Sequence, residues 1–239
     1  MKSSDCTGRP GESNLGSAMG SRHERVFFAA IQPGRYDPRL KGASGVGMRG
    51  LLLLARVIDA LNGFVGRAMG WVALAMVAIG VINVVGRYLG AALGLQLSSN
   101  ALLEAQTYAY SMIFLLAAAY VLRRNGHIRV DVIYAGRSQR TQAWIDVAGT
   151  LLLLLPFCIF ALYFSVDYVA RSWRLLESSP NPGGLPRYPI KTVILVGFSM
   201  LFLQGISEVV KRVAWLRGVP GVPGPGDDDM RRKAAEGEA

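Results

Sequence analysis

The stretch "TLLLLLPFCIFALYF", residues 150–164, runs fifteen residues without a charge. The wider segment 144–168 adds only Asp146 and Asp167, one near each end. A helix rises 1.5 Å per residue, so about 20 apolar residues cross the roughly 30 Å hydrocarbon core of a bilayer. This segment is therefore read as a transmembrane span. Pro156 lies inside it. Proline removes one backbone donor and is expected to kink the helix, which a membrane bundle tolerates.

Three more segments have the same character: 64–88, densest from Trp71 to Val85; 102–122; and 190–210, around "TVILVGFSMLFL". The whole chain is 51% hydrophobic and 18% charged, against about 25% charged in an average soluble domain. The charges gather at the two ends and in two connections, whereas a soluble fold spreads them over its helix faces. Upstream of the first span, Leu51, Leu54, Ile58 and Leu61 recur at helical spacing, interrupted by Arg49, Arg56 and Asp59. That pattern suits either a short helix over 50–63 lying in the headgroup layer or a plain extension of the first span. The fold class expected is an all-α integral membrane protein, with four transmembrane helices plus an N-terminal interfacial helix.

Lys and Arg set the topology. The connection 89–101 has none, and 123–143 has five: Arg123, Arg124, Arg129, Arg137 and Arg140. Ten precede or include Arg67, and six lie from Lys211 onward. Both termini and the middle connection are thus expected in the cytoplasm. The third connection carries Arg171, Arg174, Arg187 and Lys191, but four alternating spans place it outside. Trp71, Tyr88, Trp144, Tyr168, Trp173, Tyr188 and Trp215 fall near span ends, where amphipathic rings are stabilised.

Residues 1–47, rich in Gly, Ser, Arg and Pro, read as a disordered extension without the apolar core of a secretory signal. Met48 reads as the natural start. Residues 214–239, including "GVPGVPGPGDDD", read as a flexible tail. The net charge of +10 follows from basic flanks around apolar spans, and no nucleic-acid-binding motif accompanies it.

The sequence offers no catalytic set, no cofactor motif and no metal-ligand spacing. Cys6 and Cys158 stand far apart, as do His23 and His127. A carrier or pump usually holds an ionisable group near the bilayer midplane. Here the mid-span polar residues are Asn83, Gln106, Ser111, Ser199 and Gln204, read as interhelical hydrogen-bonding groups. Arg87 and Glu104 have opposite charge at one depth and are expected to pair. In "RRNGHIRVDVIY" (123–134), His127 and Asp131 are four apart and read as a loop anchor, while Arg123, Arg124 and Arg129 read as topology determinants. In "ESSPNPGGLPRYPIK" (177–191), Gly183 and Gly184 allow a tight turn while Pro186 and Pro189 stiffen the entry to the fourth span. This connection is either a plain helix connector or an external docking surface.

The segment 102–134, "LLEAQTYAYSMIFLLAAAYVLRRNGHIRVDVIY", resembles the signature of the DctQ-type small permease subunit of tripartite ATP-independent periplasmic (TRAP) transporters. "LARVIDALNGFVGRAMGW" (54–71), "GGLPRYPIK" (183–191) and "LFLQGISEVVKR" (201–212) are similar to it in the same order. The resemblance covers about residues 50–213, which makes 48–213 the membrane domain. It implies a bacterial inner-membrane system of three parts. A periplasmic substrate-binding protein captures the solute, usually an organic acid. A large multi-span permease subunit moves it on an ion gradient, commonly sodium, and the small subunit braces the permease. Glu104, His127, Arg129 and Asp131 match motif positions and are carried over as structural or interface residues. The competing readings are a stand-alone small membrane transporter, or a membrane anchor subunit of another complex. The first calls for an intramembrane charge or an internal repeat, the second for paired in-membrane histidines.

Overall fold

The computed structural model describes residues 46–94, 99–124, 136–222 and 224–225. Within them the chain forms α1 (Val46–Leu93), α2 (Asn100–Arg123), α3 (Gln139–Gly149), α4 (Leu155–Arg174) and α5 (Tyr188–Leu216). A π-helical stretch, Thr150–Leu154, joins α3 to α4. Four helical runs are long and apolar enough to cross a membrane: α1, α2, α3 through α4, and α5. The all-α, four-span architecture expected from the sequence is the one observed.

The helices outrun the apolar segments that announced them. α1 has 48 residues, about 72 Å at 1.5 Å per residue, more than twice the hydrocarbon thickness. The segment 50–63 is therefore no separate interfacial helix; it is the first part of α1, with no break before the span. Packing explains the continuity. Leu52, Ala55, Ile58 and Asn62 are buried, and Asp59 and Asn62 bond to the last turns of α5. The apolar residues Leu51, Leu54 and Leu61 face outward instead.

Pro156 acts through the turn before it. Its ring has no N–H and crowds the carbonyl four residues back, that of Leu152. The backbone widens there into a π turn, with Leu155 N–H donating to Thr150 O.

α5 is the central helix, packed against every other, while α1 and α2 pack on it and on each other. α4 makes no substantial contact with α1 or α2. Small residues let the backbones approach. A Cβ at Gly197 would lie 2.9 Å from Leu115 Cβ and 3.1 Å from Leu115 O. The core joins Met69 of α1, Leu116 and Ala119 of α2, and Met200 of α5.

α1 begins where α5 ends: Leu52, Ala214 and Val222 form a second buried cluster. α5 continues to Leu216, and Gly218 at φ +73° turns the chain so that Val219 N–H donates to Ala214 O at 3.1 Å. Residues 214–222, expected as part of a flexible tail, are thus a helix end and a packed return. Residues 1–45 and 226–239 lie outside the described residues. The bundle has two distinct polar ends. The terminal end holds the start of α1 and the end of α5; the hairpin end holds the α4–α5 connection.

Candidate functional site

At the hairpin end the connection is built, not merely spanned. α4 stops at Leu175, and Leu176 adopts φ +46° so that Glu177 N–H reaches back to Ser172 O at 3.1 Å. This is a left-handed helix cap. The chain then pairs with itself. Arg187 N–H donates to Glu177 O at 2.8 Å, Ser179 N–H donates to Leu185 O at 3.2 Å, and Ser178 and Pro186 face each other between those bonds. Pro186 fits because this position in an antiparallel ladder donates nothing. At the tip Gly184 N–H donates to Asn181 O at 3.0 Å, and Gly183 takes φ +70°, where a side chain is strained.

One face of α2 reads this hairpin at intervals of four residues, the spacing of a helix face. Asn100 Nδ2 donates to Pro182 O at 3.2 Å. Glu104 Oε1 accepts from Ser179 Oγ and from Asn181 Nδ2, the latter at 2.9 Å, and its Oε2 accepts from Leu185 N–H at 2.6 Å. Tyr108 OH reaches Pro186 O at 3.3 Å. Gly184 leaves room for the carboxylate, since a Cβ there would lie 2.9 Å from Glu104 Oε2 and 2.5 Å from Ser179 Cβ.

The other flank is tied to α4 and α5. Ser172 Oγ and Lys191 Nζ both donate to Glu177 Oε2, the former at 2.8 Å. The Lys191 bond, and after it the Ser172 bond, hold the Glu177 carboxyl below the usual carboxylate range. Trp173 Nε1 donates to Thr192 Oγ1 at 2.8 Å, and its ring meets Tyr188 edge-on at 4.7 Å.

The structure therefore gathers four expected residues, Glu104, Gly183, Gly184 and Pro186, into one assembly. Arg87 is not part of it. The expected Arg87–Glu104 pair does not form: both carboxylate oxygens are occupied by the hairpin, and Arg87 is exposed on α1. His127, Arg129 and Asp131 lie outside the described residues. Sequence reasoning missed Asn100 and Tyr108; their spacing around Glu104 was the available signal.

At the terminal end it had Gln204 as an interhelical hydrogen-bonding group, as observed, but not its partners. There Gln204, fully buried, accepts from Asn62 Nδ2 at 2.6 Å and donates to Asp59 Oδ1 at 2.9 Å and to Glu208 Oε1 at 3.0 Å. Lys211 pairs with Asp59 at 3.2 Å and Glu208 at 2.5 Å, and Arg212 with Asp146 at 3.3 Å. Asp59 had read only as an interruption in an apolar stripe. Across this network three carboxylates of α1, α3 and α5 meet two cations of α5.

Each end uses its polar atoms to join segments distant in sequence. No curated protein and no solved structure matches the chain. A family model does match residues 76–214, that of the "Tripartite ATP-independent periplasmic transporters, DctQ component". The match covers more than half of the 239 residues: the chain belongs to the DctQ component family of tripartite ATP-independent periplasmic transporters.

Proposed function

We propose that this protein is the small membrane subunit of an ion-gradient-driven importer and braces the large permease subunit that carries the solute. The observation that supports this most directly is the disposition of its charges. Asp59, Glu208 and Lys211 meet one another, as do Asp146 and Arg212, so these largely buried charged groups are committed to holding helices together and not to gripping a passing ion. In this reading both termini and the basic 123–143 connection lie in the cytoplasm of a bacterium, and the α4–α5 hairpin faces the periplasm. The partners are the large multi-span permease and a periplasmic substrate-binding protein. The solute is an organic acid, recognised outside this chain.

The test is affinity purification from native membranes in mild detergent. A large polytopic permease should co-purify, and solute uptake should disappear when this chain is deleted. Transport by this chain alone in liposomes would overturn the reading.

A further inference from the structure

α1 and α2 lie antiparallel, and three glycines of α1 set their register. A Cβ at Gly63 would collide with Arg123 Nη1, one at Gly66 would collide with the Tyr120 ring, and one at Gly80 would lie 3.0 Å from Gln106 Nε2. Depth follows from that register together with the placement of charge. Residues 68–86 of α1 carry no charge, between Arg67 and Arg87, and residues 105–122 of α2 carry none, between Glu104 and Arg123. At 1.5 Å per residue the two runs measure about 28 Å and about 27 Å, each close to the thickness of one hydrocarbon core. Arg67 and Arg123 therefore mark the same edge of that core, the one toward the terminal end of the bundle.

The register also brings these two arginines together. Arg67 stands one turn from Gly63 on the same side of α1. A helical side chain leans toward the N-terminus of its helix, which carries Arg67 toward Gly63 and the Arg123 guanidinium seated there. Asn62 and Met69, on the side of α1 that meets α5, are buried. Arg67 is exposed on the other flank, and Arg123 is half-buried. Two guanidiniums at one hydrocarbon edge repel each other. Among the described residues no carboxylate is left to offset them: the acidic groups of the terminal end, Asp59, Asp146 and Glu208, are engaged by Lys211 and Arg212. Neither Arg67 nor Arg123 forms an ion pair or a hydrogen bond among those residues.

We infer that the α1–α2 seam at Gly63 binds the phosphate of an anionic phospholipid, held between the guanidiniums of Arg67 and Arg123. The guanidinium fork matches phosphate oxygens, and Gly63 gives the Arg123 fork its place in the seam. The edge of the hydrocarbon core, where both arginines stand, is also where a lipid carries its phosphate. A lipid of net negative charge fits better than a zwitterionic one, whose ammonium already neutralises its phosphate. Such a site needs only helices that span a bilayer, and it exists with or without the permease.

The test loads the purified full chain, in mixed detergent micelles, with phosphatidylglycerol and phosphatidylcholine at equal concentration and weighs the retained lipid by native mass spectrometry. The wild-type chain should retain phosphatidylglycerol in preference. Arg67→Gln and Arg123→Gln should each lower that retention about fivefold, the effect of one basic residue at an anionic surface. Gly63→Ala should lower it too by displacing the Arg123 guanidinium, although it changes no charge. Arg87→Gln, at the opposite edge, should leave it unchanged. An equal loss from Arg87→Gln would reveal diffuse attraction to net charge, and unchanged retention in both Arg67→Gln and Arg123→Gln would reveal no site; either overturns the inference. So does full displacement of phosphatidylglycerol by millimolar inorganic phosphate, which would assign the seam to a free anion.

Discussion

The two polar ends of the bundle solve similar problems by different means. At the hairpin end, the Glu104 carboxylate is held by uncharged donors: a serine hydroxyl, an asparagine amide and a backbone N–H. All three come from one loop, so the bond set orders that loop against α2. At the terminal end, carboxylates from α1, α3 and α5 meet Lys211 and Arg212, both on α5. Those bonds fix how the helices themselves sit. The contrast separates a local device, which can open while the bundle stays closed, from a global one, which cannot.

Lys211→Met should show the largest effect. Its ammonium separates Asp59 from Glu208, and all three side chains are largely buried. Removing one partner of a buried pair leaves uncompensated charge and costs about 3–5 kcal/mol. Loss of helicity on titration with denaturant in detergent micelles should move by that amount, and Lys211→Arg should recover much of it. A change well under 1 kcal/mol would mean that the terminal end is not what holds α1 to α5.

Glu104→Gln should act locally. The amide retains one acceptor oxygen but directs hydrogens at donors that already point inward. Hydrogen exchange at the amides of Ser179, Leu185 and Arg187 should quicken, while the global unfolding midpoint moves less than with Lys211→Met. If both midpoints moved equally, the distinction between the ends would fail.

These two residues also show what the sequence could disclose. Four spans were legible, because charge-free runs of that length have few other uses. Their ends were not, since helical hydrogen bonding does not stop at the hydrocarbon boundary. Gly183, Gly184 and Pro186 were legible as a turn because their backbone limits are intrinsic to the residue types. The partner of Glu104 was not. Arg87 is its apparent complement by charge and depth, but a backbone N–H carries no mark in the sequence. Gln204 was legible as an interhelical hydrogen-bonding group, but the network around it was hidden for a similar reason. Its members lie in α1, α3 and α5, and only the packing of those helices brings Asp59 beside Lys211.

Acidification should loosen the hairpin end on its α5 side. The Glu177 carboxyl is held below its ordinary range by Lys191 and then Ser172. A carboxyl with a lowered folded-state pKa contributes stability at pH above its unfolded value, roughly 4.3, and loses it as pH falls through the folded value. The Arg187 amide, bonded to Glu177 O at 2.8 Å, should keep its protection at pH 6–7 and lose it in strong acid. Glu177→Gln should remove the acid-dependent part. A pH-independent Arg187 amide would show that the backbone ladder, and not the Lys191 contact, closes this flank.

The smallest effect tests a feature that the two ends share. Each closes a helix with a left-handed residue, Gly218 at φ +73° after α5 and Leu176 at φ +46° after α4. The caps are bonded alike, Val219 N–H to Ala214 O and Glu177 N–H to Ser172 O, both at 3.1 Å. Only glycine takes that conformation freely; another residue pays about 1–2 kcal/mol in steric strain. Leu176 is exposed and loses little packing when truncated, but glycine also frees the unfolded chain, an opposing 0.5–1 kcal/mol. Leu176→Gly should therefore be neutral or stabilise by up to about 1 kcal/mol, whereas Gly218→Leu should destabilise by about 1–2 kcal/mol. Equal losses from both substitutions would mean that the Leu176 side chain makes a contact worth more than its strain, which points to a partner covering the hairpin end.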